Sequence, residues 1–74
     1  MQEAQLSFLR NRGLVTDSTL ERLDAVRGRN PSHAQRVDRL REIFLSRVNN
    51  AGNMDEVSTS LRKLLKTLDR ERLY

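Results

Sequence analysis

The sequence predicts an all-α protein, a small antiparallel helical bundle of about four helices. Apolar residues recur at steps of three and four along most of the chain, and no segment alternates apolar and polar residues as a strand would. Glycine, proline and cap-forming residues separate the periodic segments. Because domains usually have about 50 to 250 residues, the 74 residues are expected to form one domain, residues 1–74.

Two helices are predicted before the only proline. The first covers residues 2–12, and Gly13 follows at the position typical of a left-handed C-cap. The second covers about residues 19–27, because Ser18 and Glu21 have the spacing of a capping box.

Two longer helices are predicted in the rest of the chain. A central helix over residues 31–49 begins either with Pro31 at its first position or with Ser32 as its N-cap. The last helix, residues 54–71, begins after the capping pattern that starts at Asn53. The apolar positions of these helices predict a core of Leu23, Val37, Leu40, Phe44, Leu61, Leu64 and Leu68.

Composition excludes several classes of chemistry. The chain has no cysteine and a single histidine, His33, so it lacks the residues for a disulfide framework, a thiolate metal site or a multi-histidine site. No glycine-rich phosphate loop and no nucleophile–base pair is present. We therefore expect no enzymatic activity, no catalytic residues, no cofactor and no metal. We also expect no membrane span, and a soluble, cytoplasmic protein.

Acids interleave with bases along most of the chain and the net charge is only +4, but two patches are candidate binding sites. The first patch, called the basic stripe below, follows one face of the last helix and consists of Arg62, Lys63, Lys66 and Arg70. Bases near a helix C-terminus complement the macrodipole, but so many are not needed for folding. The stripe is therefore a candidate binding site for an acidic surface of another protein or for a phosphate backbone.

The second patch, called the basic turn below, surrounds the predicted turn between the second and third helices. A helix, a turn with glycine and a polar helix start resemble the layout of a helix-turn-helix reader of DNA. Side chains of this kind contact phosphates and base edges in the major groove. The candidate nucleic-acid-binding residues are Arg27, Arg29, Ser32, His33, Gln35, Arg36 and Arg39.

Several segments resemble the death-fold superfamily. LSFLRNRGLVT (6–16) followed by LERL (20–23) is similar to the stretch of caspase-recruitment and death-effector domains in which a helix ends in a Gly-Leu-Leu-Thr-like turn before a short helix. RVDRL (36–40) is similar to an Arg-x-Asp-Leu-Leu motif, with Arg39 interrupting it, and LRKLLK (61–66) resembles a late helix. Those domains have six helices, and the first has no counterpart here. The resemblance implies a homotypic interaction module that joins charged patches.

The sequence therefore favours a non-enzymatic protein–protein interaction module, a small regulator or adaptor that binds and modulates a larger protein. The alternative is a DNA-binding regulator that uses the basic turn. A homodimer is a further expectation, because a chain this short buries little surface and self-association would cover what its core leaves exposed.

Overall fold

The computed structural model describes residues 2–74, which fold into three α-helices. These are α1 (Glu3–Arg29), α2 (Ala34–Asn49) and α3 (Met54–Arg70), with a 3₁₀ turn at Pro31–His33 between α1 and α2. The all-α prediction is confirmed. The prediction of about four helices is wrong, because the first two predicted helices are a single helix of 27 residues.

Helix α1 runs through the segment in which the sequence suggested a helix end and a new start. Gly13 does not have the positive φ of a C-cap, and Ser18 lies inside the helix instead of capping one. The Thr16 and Thr19 hydroxyls donate to the carbonyl oxygens of Arg12 and Val15, both at 2.7 Å. These hydroxyl groups therefore form their hydrogen bonds within the helix instead of capping a helix end. The burial of Thr19 and Leu23 favours the continuation of the helix.

The turn between α1 and α2 folds the chain back on itself. Pro31 occupies the first position of the 3₁₀ turn, as its fixed φ favours, and α2 ends at Asn49 as predicted. Two ion pairs join the helices: Arg27 with Asp38 at 3.1 Å, and Asp24 with Arg41 at 3.6 Å. Three residues back along α1 correspond to three residues forward along α2, so the two helices are antiparallel.

Asn53 caps α3 as the sequence predicted, but the Glu56 side chain bonds one residue before the position expected for a capping box. The Glu56 backbone N–H donates to the Asn53 side-chain oxygen at 3.0 Å, and the Glu56 carboxylate accepts from the Gly52 N–H. The side chain of Glu56 thereby fixes the loop while its backbone is capped.

The end of α3 is a Schellman motif without glycine. The Leu73 N–H donates to the Leu68 carbonyl at 3.0 Å, and the Arg72 N–H donates to the Asp69 carbonyl at 3.1 Å. Arg72 has φ 53°, the left-handed conformation that this motif requires. Leu73 and Leu68 are both buried, so the motif also returns the chain to the core.

One apolar core lies between the three helices, with Phe44 of α2 almost fully buried. Helix α2 contacts both α1 and α3, as expected for the central element. Six of the seven predicted core residues are buried, while Leu61 is half-buried at the edge. Val26, Val48, Val57, Ala51 and Leu73 complete the core. Within residues 2–74, no helix has both the length and the apolar character needed to cross a bilayer.

Candidate functional site

The basic stripe lies on the outer face of α3. Val57, Leu64 and Leu68 are buried on the inner face, and helical periodicity places the stripe on the opposite side. All four stripe side chains are exposed: Arg62, Lys63, Lys66 and Arg70. The amphipathic character of α3 therefore presents four cations to solvent along one rigid element.

Three of these cations have no ion-pair partner among the described residues: Arg62, Lys63 and Lys66. Arg62 makes only a long hydrogen bond, 3.4 Å, to the Thr59 hydroxyl. Arg70 is 3.9 Å from Glu71, whose carboxylate already binds another arginine more closely. The stripe is thus largely uncompensated.

Helix α2 contributes a further cation, which sequence reasoning missed. Arg47 and Lys63 line the same small cleft between α2 and α3. Arg47 is exposed and has no ion pair within residues 2–74. Its position in the last turn of α2 suits the helix dipole, and only the packing of α2 on α3 reveals that it extends the stripe.

Two arginines of the basic turn are held by carboxylates. Arg27 pairs with Asp38, and Arg36 forms a bidentate pair with Glu71, with both hydrogen bonds at 2.7 Å. The hydrogen bond from Arg36, and secondarily its charge, lowers the pKa of Glu71, while the same hydrogen bond raises the pKa of Arg36. These two guanidinium groups therefore stabilise contacts between elements.

The remaining residues of the basic turn differ in their exposure to solvent. Arg29, Ser32, Gln35 and Arg39 are exposed. His33 is half-buried, and its Nδ1 atom is buried with no hydrogen-bond partner among the described residues.

The arrangement of α1 and α2 differs from that of a DNA-reading pair. Helix-turn-helix motifs join their helices at about 90–120°, whereas the two ion pairs here hold α1 and α2 antiparallel. Residues near Tyr74 also lie against the turn, since the Asn30 side chain donates to the Tyr74 carbonyl at 2.6 Å. The start of α2 is thus partly covered by the segment that follows α3.

A larger cleft of about 240 Å³ opens between α1 and α3. Its lining is mainly apolar and hydroxyl-bearing: Leu14, Val15, Ser18, Thr19, Arg22 and Leu61. Among the described residues that line it, Arg22 is the only charged one. Among residues 2–74, no group of three or more His, Cys, Asp or Glu side chains is placed to hold a metal ion.

Comparison of the chain with protein-family models, with characterised proteins and with solved structures gave no match. The resemblance to the death-fold superfamily therefore stays a prediction. One of the segments that carry it, residues 6–16, lies inside the continuous helix α1, whereas the resemblance implies a helix end there.

Proposed function

We propose that this protein is a small interaction module that binds an acidic surface of a larger protein through the basic stripe and Arg47. The observation that supports this most is the set of exposed, unpaired cations on the outer face of α3. The function is binding and regulation, and it requires no catalysis.

Folding gives little reason for these cations. Arg62 and Lys66, like Lys66 and Arg70, are like charges at i, i+4, a spacing that destabilises a helix by about 0.2–0.5 kcal/mol per pair. The macrodipole acts within about the last turn, which favours Arg70 but does not reach Arg62 or Lys63. Pairing with carboxylates of a partner would offset the repulsion between these like charges.

The basic turn is the weaker candidate. Arg27 and Arg36 already bind carboxylates, so phosphate contacts by either would first break an ion pair that joins two elements. Only Arg29 and Arg39 remain as exposed, unpaired arginines in this patch. A DNA-binding regulator is accordingly the alternative function.

The test compares two variants of equal charge change. Arg62→Glu with Lys66→Glu reverses the basic stripe, and Arg29→Glu with Arg39→Glu reverses the free part of the basic turn. All four positions are exposed, so both variants should keep the helical circular dichroism of the wild type. Proteins captured from the native cell by the wild type should be lost by the stripe variant and retained by the turn variant.

The alternative makes the opposite prediction. A DNA-binding protein would bind random duplex DNA with an affinity that falls steeply as salt is added, because phosphate contacts release counterions. The turn variant would then lose binding while the stripe variant kept it. That order would overturn the proposed function.

A further inference from the structure

The first half of α1 extends beyond the end of α2. The ion pairs Arg27–Asp38 and Asp24–Arg41 set the register, so the last residue of α2, Asn49, lies opposite about residue 16 of α1. Of residues 3–14, only Phe8 and Arg12 are even half-buried. About eight to twelve residues at the start of α1, or 12–18 Å of helix, thus project past the end of α2. Helix α3 reaches the end of this stretch, where Leu14 and Leu61 line the same cleft.

The projection carries apolar side chains on the face that is buried further along α1. Leu9 lies fourteen residues before Leu23, a spacing that brings both to nearly the same side of the helix, and Leu23 is buried. Leu6, three residues before Leu9, widens this face. Leu6 is 47% exposed and Leu9 is 36% exposed, and both are among the few large apolar side chains left open to solvent. Leu6 and Leu9 thus continue the apolar side of α1 beyond the end of α2, where no part of α2 covers them.

Phe8 is not part of this open face. It packs against the edge of the core, and the Arg12 guanidinium lies 5.5 Å from the centroid of its ring. On this face of the projection, the exposed large apolar side chains are Leu6 and Leu9.

The charges of the projection match those of a second copy in one orientation only. Glu3 and Arg10 are seven residues apart, so they lie on the same flank of the Leu6–Leu9 face, with the acid first and the base last. In an antiparallel pair, the same flanks of the two helices meet, and Glu3 of each copy lies near Arg10 of the other. In a parallel pair, opposite flanks meet, so Glu3 of one copy would not face Arg10 of the other.

We infer that two copies of this chain associate through their α1 projections, packed antiparallel, with Leu6 against the other copy's Leu9 and Glu3 against its Arg10. Helix α2 also packs antiparallel on α1, and it ends at Asn49. The α1 helix of the second copy would therefore pack on α1 beyond the end of α2, in the same orientation as α2. The basic stripe on α3 stays free in this dimer.

The dimer is expected to be weak. Stable interfaces bury about 1,200–2,000 Å² in total, and two or three helical turns per copy with two leucines each bury less than this. Association should therefore depend strongly on protein concentration, which makes it measurable by sedimentation between about 10 μM and 1 mM.

The test uses charge reversals that a symmetric pair can rescue. Glu3→Arg alone places two arginines against each other at both ends of the interface, and it should weaken association by about tenfold. Glu3→Arg combined with Arg10→Glu restores opposite charges and should return association to near the wild-type value. A helix that aggregates through its leucines without fixed orientation would not show this rescue.

A leucine pair gives the matched control. Leu9→Glu should abolish association, whereas Leu14→Glu should leave it within about twofold, because Leu14 is 63% exposed but lies about 140° around the helix from Leu9. A wild-type chain that is monomeric at about 1 mM would overturn the proposal and leave the projection to a different protein. Equal association of the wild type and Glu3→Arg, or equal loss in Leu9→Glu and Leu14→Glu, would also overturn it.

Discussion

Glu71 joins the end of α3 to the start of α2 through the guanidinium of Arg36. Since the hydrogen bond lowers the pKa of Glu71 in the folded protein, the unfolded chain binds more protons than the folded protein at acidic pH. The contribution of this pair is fully present above the ordinary pKa of Glu71, 4.5, and is lost as the pH falls through the lowered folded value.

Glu71→Gln should therefore be less stable than the wild type at neutral pH, and the difference should shrink as the pH falls below 4.5. Both side chains are partly exposed to solvent, so the effect is expected to be small. Urea unfolding at a series of pH values measures it, and Arg36→Gln should give the same flattened profile. A wild-type advantage that persists unchanged at pH 2 would contradict the role of this pair.

At the scale of elements, α1 shows where local signals mislead. Gly13 and the Ser18–Glu21 spacing are the usual signs of a helix end and a helix start, yet α1 passes through both. Nothing in the structure requires glycine at position 13, because its φ is not positive and a Cβ there would meet no atom within 4 Å. A glycine inside a helix costs about 0.5–1 kcal/mol relative to alanine.

Gly13→Ala is accordingly expected to raise the free energy of unfolding by about 0.5–1 kcal/mol. Chemical denaturation at low protein concentration, where self-association is negligible, measures this change. If the helix instead ended at Gly13 in a left-handed turn, alanine would be strained there and the variant would be less stable. A lower unfolding midpoint of Gly13→Ala would therefore indicate that the helix ends at Gly13 and would contradict a continuous α1.

The starts of α2 and α3 could be predicted because their capping and turn residues agree with the way these helices pack. Asn53 caps α3 as its spacing with Glu56 indicated, and Pro31 begins the turn before α2. The Schellman motif at Arg72 could not be read from the sequence, since the left-handed position that usually marks it with glycine is an arginine here. The burial of Leu73 maintains this conformation despite its cost.

The candidate site was predictable only as far as it lies on one element. The periodicity of α3 predicts the basic stripe, whereas the contribution of Arg47 depends on how α2 packs on α3. The partners of Arg27 and Arg36, Asp38 and Glu71, are 11 and 35 residues away, so helical spacing along one element could not identify them.

At the scale of the whole molecule, the fold is thin and elongated, with backbone extents of 45 × 18 × 15 Å. A chain of this size has a stability of only about 4–11 kcal/mol. Phe44, which is 1% exposed, is the largest fully buried side chain and lies on the helix that contacts both others.

Phe44→Ala should cost about 3–5 kcal/mol, a large part of the total. The loss of cooperative unfolding, or a marked decrease in the urea midpoint, is the expected result. Phe8→Ala is the control, because Phe8 is only half-buried and packs at the edge of the core. Equal effects of the two substitutions would show that the core has been placed wrongly.

We propose that the outer face of α3 binds an acidic protein surface. Nuclear magnetic resonance tests it most directly, because a chain of 8.6 kDa gives separate backbone amide signals for most of its residues. The isotope-labelled protein would be titrated with the captured partner and, in a second sample, with duplex DNA. We expect the partner to cause shift changes at Arg47 and along residues 59–70, and DNA to cause little change. Changes concentrated in residues 27–39, or a stronger response to DNA than to the partner, would contradict it.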